Sequence, residues 1–145
     1  MRRNHTDDIH RINYLRSELD ALYHQASLRL GLSDSVSVVL YTVYDTGGEC
    51  LLSTIYKTSG ISKQTVNSAL RRLEADGILS LSRYDGRAKK AALTEKGQAF
   101  AARTVGRLFR AEAAVFDTWT DEETAAYLRC MEKYLSDFRR ETEKL

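Results

Sequence analysis

The stretch of sequence that decides the fold lies near the middle of the chain, at residues 59–79, and reads SGISKQTVNSALRRLEADGIL. Gly60 provides a tight turn, and Ser62 is a favourable N-cap for a helix that runs to about Ala75. At the period of an α-helix, one face of this segment is apolar and must contact a core; it consists of Val66, Ala69, Leu70 and Leu73. A glycine bend followed by such a helix predicts the second half of a helix-turn-helix.

The opposite face of this helix is polar in an unusual way. Exposed helices favour Glu and Lys, whereas this one has no carboxylate before Glu74. Its side chains are Gln64, Asn67, Ser68 and Arg71, flanked by Lys63, Thr65 and Arg72. Amides can bond adenine bidentately and hydroxyls can bond several base edges, whereas a carboxylate would repel phosphate. We therefore expect this face to enter a DNA groove; the alternative is that its side chains are simply hydrated.

The segment after the helix changes to the two-residue period of a strand. Leu79 and Leu81 alternate with serines, residues 83–87 are predicted to form a loop with a flexible Gly86, and residues 88–93 alternate again. The pattern predicts a two-stranded hairpin. Such a hairpin is marginal alone and must pack against the helix-turn-helix, and that combination is a winged helix.

Helical periods dominate the rest of the chain. Ile12, Leu15, Leu19, Leu22 and Ala26 form an apolar stripe on a first helix, and Leu128, Met131, Leu135 and Phe138 form one on a last helix. Ser33 or Asp34 can cap a second helix, and a third places Leu52, Ile55 and Tyr56 inward. Thr94 caps a fifth helix, and Thr120 with Glu123 has capping-box spacing for a sixth. The fifth helix has one long apolar stripe, formed by Phe100, Thr104, Leu108, Ala111 and Val115. Because both terminal stripes exceed what a small winged helix covers, we expect dimerisation through these helices.

The sequence thus predicts a mainly α, winged helix-turn-helix fold with six helices and a two-stranded wing. The whole chain, 1–145, is expected to be one domain, with dimerisation helices at 9–31 and 95–145 and a DNA-binding lobe at 33–94. A length of 145 residues with 43% hydrophobic and 29% charged residues is typical of one globular domain. No apolar run reaches the roughly 18 residues of a membrane span, and a cytoplasmic location is expected.

Charge is concentrated in one segment of the chain. The total net charge is only +2, but residues 62–90 carry seven basic and three acidic side chains. A local cationic excess favours an anionic partner. No nucleophile elbow, phosphate-binding glycine loop or paired metal ligands occur, so neither an enzyme, a cofactor nor a metal site is expected. A winged helix that binds only protein is the remaining alternative.

The two cysteines and three histidines are scattered. Cys50 and Cys130 are far apart and are expected to be small buried hydrophobes, and His5, His10 and His24 have no metal-ligand spacing.

Residues 61–79, with the segments DGRAKK at 85–90 and LTEKG at 93–97, resemble the MarR family of bacterial winged-helix regulators. The resemblance implies a homodimeric transcription factor, usually a repressor, with the fourth helix in the major groove and Arg87 in the adjacent minor groove. Two positions depart from the family pattern: Gly86 stands where a charged residue is usual, and Tyr56 where a small one is. The first departure predicts a more mobile wing, and the second leaves the packing angle of the third and fourth helices open.

Combining the pattern with the resemblance assigns a role to each candidate residue. The candidates for base edges are Gln64, Thr65, Asn67 and Ser68; those for phosphates are Ser62, Lys63, Arg71, Arg72, Lys89 and Lys90; Arg87 is the candidate for the minor groove. A dimer that places two such helices in successive major grooves, about 34 Å apart, predicts a pseudo-palindromic operator.

Many members of the family release DNA when a small aromatic acid, a metal or an oxidant acts on the dimer. A small aromatic acid is therefore a candidate effector here. Tyr14, Tyr23, Tyr41 and Trp119 are candidates to line its pocket, but the same residues suit a core, and the core interpretation is preferred.

Overall fold

The computed structural model describes residues 3–145, which form seven α-helices, three strands and one 3₁₀ turn. In chain order the elements are α1 (Thr6–Arg29), α2 (Asp34–Asp45), β1 (Glu49–Leu51), α3 (Leu52–Thr58), α4 (Lys63–Ala75), β2 (Leu79–Asp85), β3 (Ala88–Leu93), α5 (Glu95–Arg103), α6 (Val105–Val115), the 3₁₀ turn (Phe116–Thr118) and α7 (Asp121–Thr142). The mainly α winged-helix fold predicted from the sequence is confirmed. None of the described helices is long and apolar enough to cross a membrane.

The chain divides into two compact units, one ending at Leu108 and the other running from Phe109 to Leu145. The core lies in the first unit, where α2, α3, α4 and the sheet pack together. Its largest fully buried side chains include Leu40, Ile55, Leu70, Leu73 and Leu79. The apolar face predicted for the helix at 63–75 is thus the face that holds α4 on the core.

The starts of α2, α4, α5 and α7 follow the capping residues in the sequence. Ser33, rather than Asp34, caps α2 by accepting a hydrogen bond from the Val36 N–H, and Ser62 and Thr94 cap α4 and α5. The capping box of Thr120 and Glu123 forms at the start of α7 as predicted.

The sheet has three antiparallel strands in the order β1-β3-β2, not two. Cys50 of β1 lies opposite Ala91, so the short strand pairs with the free edge of β3. Three residues are too few to show a two-residue period, which is why the sequence did not predict β1. The predicted loop at 83–87 is also wrong in part, since β2 continues to Asp85 and only Gly86 and Arg87 form the turn.

The predicted fifth helix is interrupted at Thr104, whose φ of −118° and ψ of −99° are not helical. The Thr104 hydroxyl donates to the Phe100 carbonyl, and α6 begins at the next residue. At Gly106 a Cβ would stand 3.1 Å from the Tyr44 hydroxyl oxygen, so the absence of a side chain lets Tyr44 approach. The apolar stripe keeps its helical period across Thr104, so the sequence has no signal for the break, and the single long helix was a wrong prediction.

Several residues expected in the core are exposed instead. Cys130 is exposed and Cys50 is only partly buried. Tyr14 and Tyr23 are exposed on α1, whereas Tyr41 packs against the core. In the second unit the Trp119 ring packs edge-on between Phe116 and Tyr127. Periodicity identifies an apolar face correctly, but it does not tell whether the same chain covers that face.

Candidate nucleic-acid interface

The candidate interface is built on α4, which presents opposite faces to the core and to solvent. Val66 is fully buried, and Ala69, Leu70 and Leu73 are at most 3% exposed. On the other side the exposed residues are Lys63, Gln64, Thr65, Ser68, Arg71 and Arg72. The packing of the apolar face therefore holds the predicted polar face outward.

The hydroxyl groups at the start of α4 hydrogen-bond to one another and to the helix backbone. Ser62 Oγ accepts the Thr65 N–H at 3.2 Å and lies 2.8 Å from Thr65 Oγ1. Ser68 Oγ donates to the Gln64 carbonyl at 3.1 Å. Ser62 thus caps the helix, and the hydroxyls of all three residues hold fixed positions while keeping spare lone pairs.

The two amide side chains of α4 have different environments. Gln64 is exposed, and no other described residue hydrogen-bonds its amide. Asn67 is partly buried, and its Oδ1 accepts a hydrogen bond of 2.5 Å from the Tyr56 hydroxyl on α3. Of the two, only Gln64 is wholly free to adapt to a base.

The predicted cations are exposed or weakly paired. Lys63 Nζ lies 4.9 Å from the centroid of the Tyr56 ring, a cation–π contact. Arg72 pairs with Asp76 at 3.1 Å, and Lys90 pairs with Glu49 at 3.2 Å. Surface ion pairs contribute between about 0 and 1 kcal/mol, so a phosphate can displace either carboxylate.

Two clefts bring residues of α4 and of the wing together. The larger, of about 560 Å³, is bordered by Asn67 and Arg71 of α4 and by Arg83 and Lys89 of the strands, with the acidic Glu74 at its edge. The second, of about 410 Å³, is bordered by Tyr56, Lys63, Arg87 and Lys89. The polar and basic side chains of α4 and of the wing therefore line the same two clefts.

Arg72 borders neither of these two clefts. It borders a separate cleft of about 340 Å³ that Lys96 and Arg103 also line. At one edge of the predicted polar face, Arg72 thus lines a cleft that residues of the wing do not border.

Three residues of the interface were not predicted as site residues. Arg83 lines the larger cleft, Tyr84 stands 64% exposed at an irregularity of β2, and Tyr56 contacts both Lys63 and Asn67. Arg83 was visible in the sequence as part of the basic excess. The contacts of Tyr56 were not, because they depend on how α3 crosses α4.

The helix-turn-helix of α3 and α4, followed by a hairpin that shares its clefts, defines a winged-helix protein. Within that class, residues 30–88 match the model of the MarR family. The match includes α2, α3, α4 and most of the wing, and it confirms the resemblance found in the sequence. No curated protein matches the chain.

Solved structures of MarR family proteins share this fold over most of the chain. A MarR family regulator from Neisseria meningitidis is 23% identical, with a TM-score of 0.79, and the alignment covers 98% of this chain and 99% of that one. A MarR family regulator from Streptomyces coelicolor, solved in complex with DNA, is 20% identical with a TM-score of 0.68, covering 94% and 91%. BpsR of Bordetella bronchiseptica, whose DNA binding is regulated by 6-hydroxynicotinic acid, is 22% identical with a TM-score of 0.64, covering 86% and 98%. At these identities the likeness concerns the fold.

Proposed function

We propose that the protein is a sequence-specific, double-stranded DNA-binding transcriptional regulator of the repressor type. The observation that carries this proposal is the exposed face of α4, which has no carboxylate in its first eleven residues and shares two clefts with the basic wing. A groove lined by phosphates attracts cations and amides and repels carboxylates. The DNA complex of the Streptomyces coelicolor regulator supports the same use of the shared fold.

The groups on α4 and the wing divide into three roles. Gln64, Thr65, Asn67 and Ser68 would read base edges in the major groove. Phosphates would be bound by Ser62, Lys63, Arg71, Arg72, Lys89 and Lys90. Arg87 would enter the minor groove, since it is exposed in the turn at the tip of the wing.

A homodimer is the form in which this regulator would bind a pseudo-palindromic operator. An exposed apolar stripe in each compact unit supports the homodimer. On α1, Leu15 and Leu19 are 47% and 48% exposed, and on α7, Leu128 and Leu135 are 52% and 58% exposed. Stripes of this length on soluble proteins are typically covered by a partner.

A small aromatic acid remains the candidate effector. BpsR, with the same fold, is regulated in its DNA binding by such a compound. A ligand that binds the DNA-free form of this protein more tightly than the DNA-bound form would release the operator.

The roles are separable by substitution. Lys63→Ala is expected to weaken binding to every duplex and to lower the slope of log affinity against log salt by about one unit, because one phosphate contact is lost. Gln64→Ala is expected to relax preference at one base pair by about 1 to 3 kcal/mol. Lys144→Ala, which removes an exposed cation of the other unit, is the matched control and should change neither quantity.

Fluorescence anisotropy with duplexes that differ by one base pair measures both effects. Equal losses on all duplexes for Gln64→Ala would refute its role as a base reader. Unchanged affinity and salt slope for Lys63→Ala would refute the phosphate contact. Binding to a protein partner, together with no affinity for any duplex, would favour the winged helix as a protein-binding module.

A further inference from the structure

We propose that Tyr56 determines which base Asn67 prefers, by holding the Asn67 amide in one orientation. The inference rests on the proposed function, since it concerns how the same surface reads DNA. It starts from a contact between α3 and α4 that joins residues eleven positions apart: the Tyr56 hydroxyl donates to Asn67 Oδ1 at 2.5 Å.

The hydrogen bond engages one end of the amide and leaves the other end available. An Asn side chain has a carbonyl acceptor and an NH₂ donor on opposite sides of one planar group. The phenol occupies one of the two lone pairs of Oδ1 and fixes that oxygen towards α3, so Nδ2 is the end of the amide without a partner among the described residues. The side chain is partly buried beside the cleft between α4 and the wing, so its rotation is restricted further.

This orientation changes the base that Asn67 fits. Bidentate recognition of adenine needs Oδ1 and Nδ2 to face the base together, because N6 donates and N7 accepts, and an oxygen directed at Tyr56 does not face the base. A donor alone is suited to guanine, whose O6 and N7 both accept in the major groove. Tyr56 therefore turns Asn67 from an adenine reader into a guanine reader.

The surroundings of Tyr56 make it a suitable positioning residue. The ring is partly buried, and the Lys63 ammonium group lies over its face at 4.9 Å. The hydroxyl is the group that hydrogen-bonds to Asn67. The ring and the hydroxyl can thus be tested separately, because Tyr56→Phe keeps the ring under Lys63 and removes only the donor.

The test compares base preference for the wild type, Tyr56→Phe, Asn67→Ala and the double variant, on duplexes that differ at single base pairs. We expect Tyr56→Phe to shift preference at one base pair of each half-site from guanine towards adenine by about tenfold. The salt slope should not change, since the contact of Lys63 with the ring remains. Asn67→Ala should abolish the preference and make Tyr56→Phe silent, as a positioning role requires.

A control variant and a measurement without DNA complete the test. Tyr134→Phe removes an exposed hydroxyl from α7, outside the DNA interface, and should leave that base pair unaffected. In the free protein, Tyr56→Phe should move the Asn67 side-chain amide resonance in ¹⁵N-labelled protein more than those of Asn4 and Asn13. A thermal melt establishes that the variant is folded.

The outcomes separate this inference from the function on which it rests. A wild-type protein that binds no duplex would refute the proposed function and the role of Tyr56 with it. A selective wild type whose preference is unaltered in Tyr56→Phe, an equal loss on all duplexes, or an unmoved Asn67 amide resonance would overturn the role of Tyr56 alone.

Discussion

Gly97 shows how a single residue sets the contact between the wing and the helix that follows it. It lies in the first turn of α5, where its N–H donates to the Thr94 hydroxyl. The Thr94 N–H in turn donates to the Ile78 carbonyl. A Cβ built on Gly97 would stand 1.9 Å from the Ile78 carbonyl oxygen. Since that obstacle is backbone rather than a flexible side chain, α5 can approach the start of β2 this closely only with glycine here.

Gly97→Ala is accordingly expected to destabilise the protein by about 1 to 3 kcal/mol, because the helix start must move away from Ile78. Urea unfolding followed by circular dichroism measures the change. Gln98→Ala, at the next and exposed position of α5, is the matched control and should have little effect. Equal stability of the two variants would show that the backbone at Ile78 accommodates a Cβ at position 97 without loss of stability.

Cys50 provides a second prediction at this scale. Burial raises the pKa of the Cys50 thiol, and a hydrogen bond with the Thr46 side chain opposes the shift without cancelling it. A raised pKa lowers the thiolate fraction at a given pH, and the thiolate is the reactive form. In a Cys130→Ser background, iodoacetamide at pH 8 should modify Cys50 more slowly in the folded protein than in urea. Equal rates would mean that Cys50 is as accessible and as acidic in the fold as in the unfolded chain.

The exposure of a candidate residue could be predicted where it depends only on the helical period. Gln64 and Lys63 are exposed as predicted, because they lie away from the clear apolar face of α4, and their roles in DNA binding stay predictions. The bond between Tyr56 and Asn67 depends on how α3 crosses α4, which no local pattern encodes.

At the scale of elements, Ser62 has two functions that can be separated. Its hydroxyl caps α4, and it lies at the end of the helix that is predicted to face phosphates. Ser62→Ala should lower stability by about 1 kcal/mol through loss of the cap. Ser62→Asp restores a capping oxygen and suits the helix dipole, but it places a negative charge against phosphate.

We therefore expect Ser62→Asp to keep wild-type stability while losing DNA affinity on all sequences, most strongly at low salt. Ser62→Asn, which caps without charge, is the control and should preserve both. Thermal melts and anisotropy titrations measure the two properties. Full DNA affinity in Ser62→Asp would place the start of α4 away from the phosphate backbone.

Elements were predictable where a capping residue and a clear period coincide. The start of α4 at Ser62 and that of α7 at Thr120 meet this condition, and both were predicted correctly. The strand β1 and the break at Thr104 do not. The first is too short for a period, and the second interrupts an apolar stripe whose helical period does not change.

At the scale of the whole molecule, the exposed apolar stripes on α1 and α7 predict a dimer, so the oligomeric state tests this part of the proposal. Burying a leucine contributes roughly 1.5 to 3 kcal/mol, so a partner that covers several of them forms a stable dimer. Sedimentation equilibrium should give a dimer for the wild type and a monomer for Leu19→Glu. Ser17→Glu places the same charge on the opposite face of α1 and should remain dimeric. A monomeric wild type at micromolar concentrations would contradict the proposed dimer.

Selection of bound duplexes from a random pool by the purified wild-type protein tests the central claim most directly. The predicted result is a pseudo-palindromic site whose half-sites lie about one helical turn apart, bound with an affinity that falls linearly in log salt. Retention of no duplex at low ionic strength, or of duplexes without any shared sequence, would contradict the reading of DNA by α4 and the wing.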